Sequence, residues 1–360
     1  MDATPSAPDV TAFANRLRKN LKVRTRWAAR EGLTAYRLYD QDLPEFPFVV
    51  EWYAGRVHLV EYPRRKTLRA GRLEAERAAI VAAVAEVLTL DEAAIVTKTH
   101  LPHAWGRSQY GTTGAPAEPF TVEEHGMVLE VDLGARLDTG LYMDHRRTRA
   151  RVRKEAGGKR MLNLFAYTGS FTVAAGLGGA SATTTVDLSG PYLDWARRNL
   201  RLNGLNGPEH TLIQADVLAW LAQVAAEGTQ RWDLIVLDPP PFSTSKQMRG
   251  DFRVQRDHPR LLNDALSILA PGGTLYFSTN FRGFELSPDK VPGAHFEELT
   301  PRSLPEDFHR RDSHRLWRIT AGEAEAEGAA ARPRGGAAEP GSTRGSTGRA
   351  GRRRRSTGSP

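Results

Sequence analysis

The chain has 360 residues, 40% of them hydrophobic, which is enough for one large domain and a smaller one. It contains no cysteine, and this excludes disulfides, thiolate zinc sites and cysteine nucleophiles. Its formal net charge of +8 and its pI of about 9.8 favour a polyanionic partner. No apolar run approaches the roughly 20 residues that cross a bilayer, and the N-terminal segment is polar. We therefore expect a cytoplasmic protein with no membrane partner.

The first predicted domain covers residues 11–135, behind a flexible start at residues 1–10, and belongs to the α+β class. Its opening helix is indicated by apolar residues at roughly helical spacing, which are Val10, Phe13, Leu17, Leu21 and Trp27. The other face of that helix is strongly basic and carries Arg16, Arg18, Lys19, Lys22, Arg24, Arg26 and Arg30. A helix face whose charges are almost all positive predicts an RNA-binding surface, and an ordinary solvated helix face is the alternative.

Two hairpins and a second helix complete this domain. The turns Ala54-Gly55 and His125-Gly126 separate strand pairs, and Leu68–Leu88 is rich in Ala, Glu and Arg, which predicts a helix. The predicted strands are Phe48–Tyr53, Val57–Tyr62, Phe120–Glu124 and Met127–Val131.

From residue 136 to residue 320, short apolar runs alternate with helical stretches. The strand candidates are Arg160–Phe165, Thr183–Val186, His210–Gln214, Trp232–Leu237 and Thr274–Ser278. Ser189 can cap the second helix, and another helix runs from Gln255 to Leu269. Regular alternation of this kind predicts a parallel sheet with helices on both faces.

The C-terminal stretch, residues 321–360, contains no aromatic residue and no aliphatic residue larger than Ala. Such a composition cannot bury enough surface to offset the entropy of ordering, so we expect a disordered tail. Its Arg352–Arg355 block either grips nucleic acid loosely or only aids solubility.

Acidic side chains follow three consecutive strands of the predicted sheet. Asp187 comes after the second strand, Asp216 after the third and Asp238 after the fourth. Ligands of such sheets bind outside the carboxyl ends of the strands. Each acid alone is explained as well by a helix cap. Three in register predict a nucleoside pocket, in which Asp187 accepts the ribose hydroxyls and Asp216 accepts an adenine amino group.

Two further segments lie at the same predicted edge. The turn Asn163–Ser170 has small residues but not the full G-x-G-x-x-G pattern, so a structural turn explains it nearly as well. Asp238-Pro239-Pro240-Pro241-Phe242 is more specific, because prolines directly after a strand fix the backbone and leave carbonyls as rigid acceptors. Phe242 can stack on a base, so this segment predicts a base-binding rim, with a stiff connecting loop as the alternative.

These residues lie among longer stretches that identify a family. The stretches are FANRLRKNLK (Phe13–Lys22), YRLYDQDLPE (Tyr36–Glu45), LDTGLYMDHR (Leu137–Arg146), NLFAYTGSFTVAAGLGGA (Asn163–Ala180), TTTVDLS (Thr183–Ser189), RRNLRLNGL (Arg197–Leu205), IQADVLAWL (Ile213–Leu221), LDPPPFSTSK (Leu237–Lys246), VQRDH (Val254–His258) and FSTNFRGF (Phe277–Phe284). Over about Phe13–Thr320 the chain closely resembles the C-terminal, guanine-N7 half of the bifunctional bacterial 23S rRNA methyltransferases of the RlmKL family.

This resemblance implies an α/β fold: a Rossmann-like, seven-stranded class I methyltransferase domain with a smaller N-terminal α+β domain. It implies S-adenosyl-L-methionine as the cofactor and no metal. The implied cofactor-binding residues are Asp144 and Arg146 at the methionine end, together with Asn163, Phe165, Tyr167, Gly169, Asp187, Leu188, Ser189, Asn203 and Asp216. The implied target-base rim is Asp238, Pro239, Pro240 and Phe242, with Phe277–Asn280 beside it.

The resemblance also implies 23S ribosomal RNA as the partner. The RNA-binding residues that we predict are Arg16, Arg18, Lys19, Lys22, Lys246 and Arg256. The bifunctional relatives carry a second, N2-methyltransferase half and an RNA-binding module upstream, and neither is in this sequence, so we allow for a separate protein that supplies that half. The relatives usually have Thr or Ser where this chain has Pro241.

The chemistry expected of this site is direct attack by a base nitrogen. Guanine N7 has an in-plane lone pair and no proton, so Asp238 would hold the guanine edge instead of acting as a base. Methylation of pyrimidine C5 normally needs a thiolate, and the chain has Ser278-Thr279-Asn280 where such relatives carry cysteine. Two alternatives stay open: methylation of an exocyclic base amine, and a non-catalytic RNA-binding assembly factor. His145 and His258 are open between a site role and a structural one.

Overall fold

The computed structural model describes residues 8–62, 70–99, 118–135, 138–244, 251–309 and 313–322. The helices are α1 (Thr11–Glu31), α2 (Ala70–Leu88), α3 (Arg146–Glu155), α4 (Ser170–Leu177), α5 (Gly190–Leu202), α6 (Val217–Glu227), α7 (Val254–Ser267) and α8 (Thr300–Ser303). No helix of the described ranges is both long and apolar enough to cross a membrane. The C-terminal tail with Arg352–Arg355 lies outside the described residues.

The strands of the N-terminal part are β1 (Ala35–Asp40), β2 (Phe48–Tyr53), β3 (Arg56–Glu61), β4 (Ile95–Thr99), β5 (Phe120–Glu124) and β6 (Met127–Val131). The remaining strands are β7 (Arg160–Leu164), β8 (Ala182–Asp187), β9 (His210–Gln214), β10 (Trp232–Leu237), β11 (Phe242–Ser243), β12 (Phe252–Arg253), β13 (Leu269–Thr279), β14 (Ala294–Glu298) and β15 (Arg315–Ala321).

The N-terminal part is a four-stranded sheet in the order β1-β2-β3-β4, covered by α1 and α2. The predicted apolar stripe of α1 is confirmed, because Phe13, Leu17 and Trp27 are buried against this sheet. The helix ends at Gly32, which adopts the left-handed conformation that favours glycine. β4 runs parallel to β3, so α2 carries the chain back along the sheet. The sequence patterns did not predict β1 or β4.

The larger sheet has seven strands in the order β14-β15-β13-β10-β7-β8-β9. The five predicted strands are its parallel members, and the seven-stranded expectation is confirmed. β15 and β14 are antiparallel additions at one edge. The predicted helix Gln255–Leu269 ends earlier than expected, since α7 stops at Ser267. The Pro271-Gly272-Gly273 stretch lies inside β13, where the pairing register to β10 is interrupted.

The β5–β6 hairpin packs on α5. Asn199 accepts from the Glu130 N–H at 2.8 Å, and the Trp195 indole donates to the Glu130 carbonyl at 3.0 Å. The predicted boundary between residues 135 and 136 therefore separates this hairpin from the helix against which it packs.

Buried arginines join the two sheets. Arg146 donates to Asp307 at 2.9 Å and to the Ala35 carbonyl at the start of β1 at 2.8 Å. Arg149 makes a bidentate contact with Glu124 at the end of β5, at 2.6 and 2.7 Å. Both arginines are almost fully buried, and buried charges of this kind need such partners. The network fixes the N-terminal sheet against the first helix of the larger domain.

Candidate active site

The turn after β7 is conformationally unusual. Phe165 and Tyr167 have φ values of 57° and 52°, in the left-handed region that residues other than glycine rarely occupy. Gly169 follows with φ 74°, and a Cβ atom there would lie 2.8 Å from the Cβ of Ala196. Asn163, buried at the end of β7, donates to Thr172 at 3.0 Å and anchors the turn on α4. Backbone strain of this sort concentrates at functional sites.

A second segment packs over this turn. The Gly140 N–H donates to the Tyr167 hydroxyl at 2.9 Å, and the Thr168 hydroxyl donates to the Gly140 carbonyl at 2.7 Å. Gly140 has φ 96°, and a Cβ atom there would lie 2.3 Å from the ring of Trp195. The described residues of the LDTGLYMDHR stretch therefore hold the turn from the side of α5.

Asp187 links the first two strand ends. Its carboxylate accepts from the Tyr167 N–H at 2.9 Å and from the Ser189 N–H at 2.8 Å. Burial raises the pKa of this carboxyl to about 6, although the backbone hydrogen bonds oppose the shift. Ser189, and not Asp187, caps α5, so the helix-cap explanation does not account for this acid. Each carboxylate oxygen has a second lone pair for a ribose hydroxyl.

The residues that end and follow β9 lie next to Asp187 and Leu188. Gln214 at the end of β9 donates to the Leu188 carbonyl at 3.3 Å, and Ala215 N–H donates to the Asp187 carbonyl at 3.0 Å. Asp216 caps α6 and accepts from the Leu218 N–H at 3.1 Å, as the cap alternative proposed. The structure thus brings the turn, Asp187, Leu188, Ser189 and Asp216 to one edge of the sheet.

Asp238 follows β10 at the same edge and contacts two side chains. Its Oδ1 accepts from the Ser278 hydroxyl at 2.5 Å, and its Oδ2 lies 3.5 Å from Nε2 of His145. Phe242 is 39% exposed and pairs with Arg253 in the β11–β12 ribbon. The Pro241 carbonyl accepts from the Val254 N–H at 3.0 Å, so this one carbonyl of the proline segment is used within the protein. The exposed part of the Phe242 ring can stack on a base.

A cavity of about 470 Å³ opens beyond the end of β13, the strand that neighbours β10 in the sheet. Its wall includes Phe281, which is 38% exposed. The lining residues are Thr279, Asn280, Phe281, Arg282, Thr300, His314 and Arg315. The sequence patterns did not single out Phe281 or His314.

His314 builds the inner wall of this cavity. Its Nδ1 lies 3.0 Å from the Asp144 carboxylate and its Nε2 lies 2.9 Å from the Ser303 hydroxyl. Its ring stacks on His145, with the centroids 4.1 Å apart. Donor atoms of Asp144, His145 and His314 lie within 4.8 Å of one another. A metal ion lies near the plane of each imidazole that binds it, and the two stacked ring planes, which are nearly parallel and separated, do not suit a shared ion.

Several predicted site residues lie elsewhere or have protein partners. The Arg146 guanidinium is buried and donates to Asp307 and to the Ala35 carbonyl. Asn203, at the far end of α5, donates to the carbonyls of Val128 and Asn199, both at 2.7 Å. His258 accepts from the Ser287 N–H at 3.1 Å in a buried position, which favours the structural alternative.

The predicted RNA-binding residues divide into two groups. Arg256 pairs with Asp251 and Asp257, Arg16 with Asp42, and Arg18 with Glu86. Lys19 and Lys22 are exposed on α1, and no described acid forms an ion pair with them. Lys246 lies outside the described residues.

Comparison with known proteins decides the family. The family described as S-adenosylmethionine-dependent methyltransferase matches residues 45–299. The chain belongs to this family. It is 45% identical over 311 residues to ribosomal RNA large subunit methyltransferase K of Neisseria meningitidis, which covers 86% of this chain and 87% of that protein. It is 47% identical over 310 residues to the K/L methyltransferase of Ectopseudomonas mendocina, covering 86% of this chain but only 42% of that protein.

The methyltransferase fold is confirmed by solved structures. A structure described as that of a methyltransferase complexed with SAH superposes with a TM-score of 0.72, at 28% identity, over 88% of this chain and 83% of the other. The cofactor of the family is S-adenosylmethionine. The strand-end residues fit this molecule, because Asp187 offers hydroxyl donors a buried carboxylate that is held by the backbone N–H groups of Tyr167 and Ser189.

Proposed function

We propose that this methyltransferase modifies large-subunit ribosomal RNA and transfers the methyl group to N7 of a guanine. The observation that carries the proposal is the shared edge at which Asp187 ends one strand and Asp238 follows another strand of the same sheet. The relatives at 45% and 47% identity are named as methyltransferases of that RNA, which supports the substrate class.

The cofactor half of the site is assigned to the first three strand ends. Asp187 accepts the ribose hydroxyls, and Asp216, Leu188 and Ser189 flank the adenosine. The turn with Asn163, Phe165, Tyr167 and Gly169 supports the methionine end. Asp144, which contacts His314, is assigned to that end as well. Arg146 and Asn203 receive no cofactor role, because their polar groups are bonded to other parts of the protein.

The main task of the protein in this reaction is to position the two reactants. S-adenosylmethionine supplies a methyl group on a positively charged sulfur, and the bond from guanine N7 to that carbon forms as the carbon–sulfur bond breaks. N7 carries no proton, so the protein needs no general base. Holding two reactants in line can by itself supply a large part of the rate enhancement.

The base half of the site is assigned to the fourth strand end. The Asp238 carboxylate accepts hydrogen bonds from N1–H and the exocyclic amine of guanine, a pattern that adenine does not offer. Phe242 stacks on the base from the rim. Methylation of the exocyclic amine itself would bring that same amine to the methyl group, and the site of the methyl group distinguishes the two reactions.

The RNA-binding surface is assigned to α1 and to the domain of residues 11–135, while residues 136–320 form the catalytic domain. Lys19, Lys22, Arg26 and Arg30 are spaced by three, four and four residues, so they form one stripe along the helix, and all four are exposed. Such a stripe is free to contact phosphates, unlike Arg16 and Arg18, which already have acidic partners.

The test is methylation of an unmodified 23S rRNA transcript by purified protein with isotopically labelled S-adenosylmethionine. Digestion to nucleosides and mass spectrometry should identify 7-methylguanosine, and mapping should place it at one position. An N2-methylated guanosine or N6-methylated adenosine would replace the N7 assignment by the amine reaction. Absence of both methyl transfer and heat of SAH binding would favour the non-catalytic assembly factor.

A further inference from the structure

Both oxygens of the Asp238 carboxylate face a side chain from another element. Ser278, at the end of β13, donates to Oδ1 at 2.5 Å. Nε2 of His145, which directly precedes α3, lies 3.5 Å from Oδ2. Catalytic hydrogen bonds are often long in the free enzyme and shorten when substrate binds. The orientation of this carboxylate is therefore set by two groups, of which only Ser278 is in full hydrogen-bond contact before RNA arrives.

The ring of His145 cannot easily turn away from Asp238. It is 5% exposed, stacks on His314 at 4.1 Å with 16° between the planes, and meets the edge of Phe171 at 5.6 Å. His314 is itself held at both nitrogens, by Asp144 and by Ser303. The direction of Nε2 toward Asp238 thus follows from packing on a ring that is fixed at two points.

The surroundings of His145 also select its proton. Burial lowers its pKa, and the stacked His314 and the nearby Arg149 act in the same direction, against Asp238 and Asp144. The ring is therefore neutral near neutral pH and carries one N–H. Nε2 faces a carboxylate, whereas Nδ1 is buried and has no hydrogen-bond partner among the described residues. An N–H buried without an acceptor is costly, so the proton belongs on Nε2.

We propose that His145 is a positioning residue that donates its Nε2–H to Asp238 and, with Ser278, holds that carboxylate as an ionised acceptor for two adjacent N–H donors of the target base. The proposal rests on the proposed function and adds a residue that acts through Asp238. His145 itself needs no contact with the base or the methyl donor. The same arrangement would reject a base that presents a lone pair at this point, since a lone pair repels the carboxylate.

Two substitutions distinguish the role of the His145 N–H donor from the role of its ring in packing. His145→Phe keeps a ring for stacking but removes the donor, and His145→Gln keeps a neutral N–H at similar reach. With an unmodified 23S rRNA transcript in single-turnover assays, His145→Phe should slow transfer about tenfold or more, and His145→Gln should stay within about threefold of the native chain. SAH affinity from calorimetry should change less than about twofold in both. His295→Gln, on the exposed face of β14, is the matched control and should behave as the native chain.

A double-mutant cycle tests whether His145 acts through Asp238. On an Asp238→Asn background, His145→Phe should slow transfer by less than about twofold further. A full additional loss on that background would overturn the proposal, and so would native-like rates for His145→Phe or equal losses for the Phe and Gln variants. Absence of transfer by the native chain is a different result, because it removes the proposed function itself.

A measurement on the native protein needs no variant to fold. The ¹⁵N chemical shifts of the His145 imidazole report its protonation and tautomer directly. We expect the neutral Nε2–H form between about pH 7 and about pH 8. An Nδ1–H tautomer or an imidazolium in this range would overturn the proposal whether or not RNA is methylated.

Discussion

The cleft at the carboxyl ends of the strands, where Asp187 and Asp238 lie, and the basic face of α1 hold their polar side chains in opposite ways. In the cleft, Asp187 accepts from two backbone N–H groups and Asp238 accepts from Ser278, so each carboxylate has a fixed direction. On α1, Lys19 and Lys22 extend from an exposed helix face without acidic partners among the described residues.

The difference follows from what each region has to bind. A small methyl donor and one base must be placed within a fraction of an ångström for an in-line transfer, so the groups around them are preorganised. A long RNA backbone presents a phosphate at every nucleotide, and mobile cations can neutralise it in many registers. Cleft residues should therefore respond steeply to small changes, and α1 residues should respond gradually and with strong dependence on salt.

The largest effect is expected at Asp238. Asp238→Ala should lower the single-turnover rate on a 23S rRNA transcript by about 100-fold or more, because the base loses its partner. SAH affinity by calorimetry should stay within about twofold, since the carboxylate lies at the base side of the cleft. Asp238→Asn, which keeps the shape, shows how much of the loss is due to charge. Turnover near the native rate would contradict the assignment.

The next effect concerns Asp187 and pH. Its pKa is raised to about 6, so the carboxyl becomes protonated as the pH falls through that value and can no longer accept two ribose hydroxyls. SAH affinity should fall about tenfold per pH unit below about pH 6 and be constant above it. In the free protein the raised pKa favours the protonated form, so stability should decline as pH rises from about 4 to about 6 and then level off.

Calorimetry at several pH values and thermal unfolding over the same range measure both slopes. Asp187→Asn is the matched control, because it keeps the shape but cannot titrate, and it should flatten both curves. An SAH affinity that does not change between about pH 5 and about pH 8 would show that the ionised carboxylate is not a ribose ligand.

The same contrast explains what the sequence could predict. Apolar runs mark β7, β8, β9, β10 and β13, and parallel pairing brings their carboxyl ends together, so the order of residues along the chain is enough to put three acids at one edge of the sheet. β14 and β15 are added in antiparallel pairing after an irregular stretch of the chain, and their sequences carry no comparable signal. His314 directly precedes β15, far along the chain from His145, and no local pattern relates the two.

The ion pairs of α1 could not be predicted from the sequence either. Arg16 and Arg18 lie in the same basic stretch as Lys19, yet their partners Asp42 and Glu86 come from distant segments. Arg146 shows the same limit. It lies in the motif that the family resemblance assigned to the cofactor, but its acceptors come from β1 and from a segment far along the chain. Motifs predict which backbone reaches the site, and only tertiary contacts show which way a side chain turns.

A smaller effect is expected on α1. Lys19→Gln with Lys22→Gln should weaken binding to a 23S rRNA transcript by about tenfold at low salt and reduce the slope of log affinity against log salt by about 1.5. Arg16→Gln with Arg18→Gln removes the same charge from ion-paired positions and should change the slope by clearly less. Filter binding over a salt series measures both. Equal slopes for the two pairs would mean that the exposed stripe is not the contact surface.

The smallest effect is expected from substitutions at the two ends of α5, which should differ in their effect on SAH binding. Ser189 caps α5 at the cleft, and Asn203 lies one helix length away, about 20 Å at roughly 1.5 Å per residue. Asn203→Ala should lower stability by about 1 kcal/mol through its hydrogen bonds to Val128 and Asn199, with SAH affinity unchanged. Ser189→Ala should cost a similar stability and also weaken SAH binding. Thermal unfolding and calorimetry on both variants decide the matter: a loss of SAH affinity in Asn203→Ala alone would restore the cofactor role that the family resemblance implied.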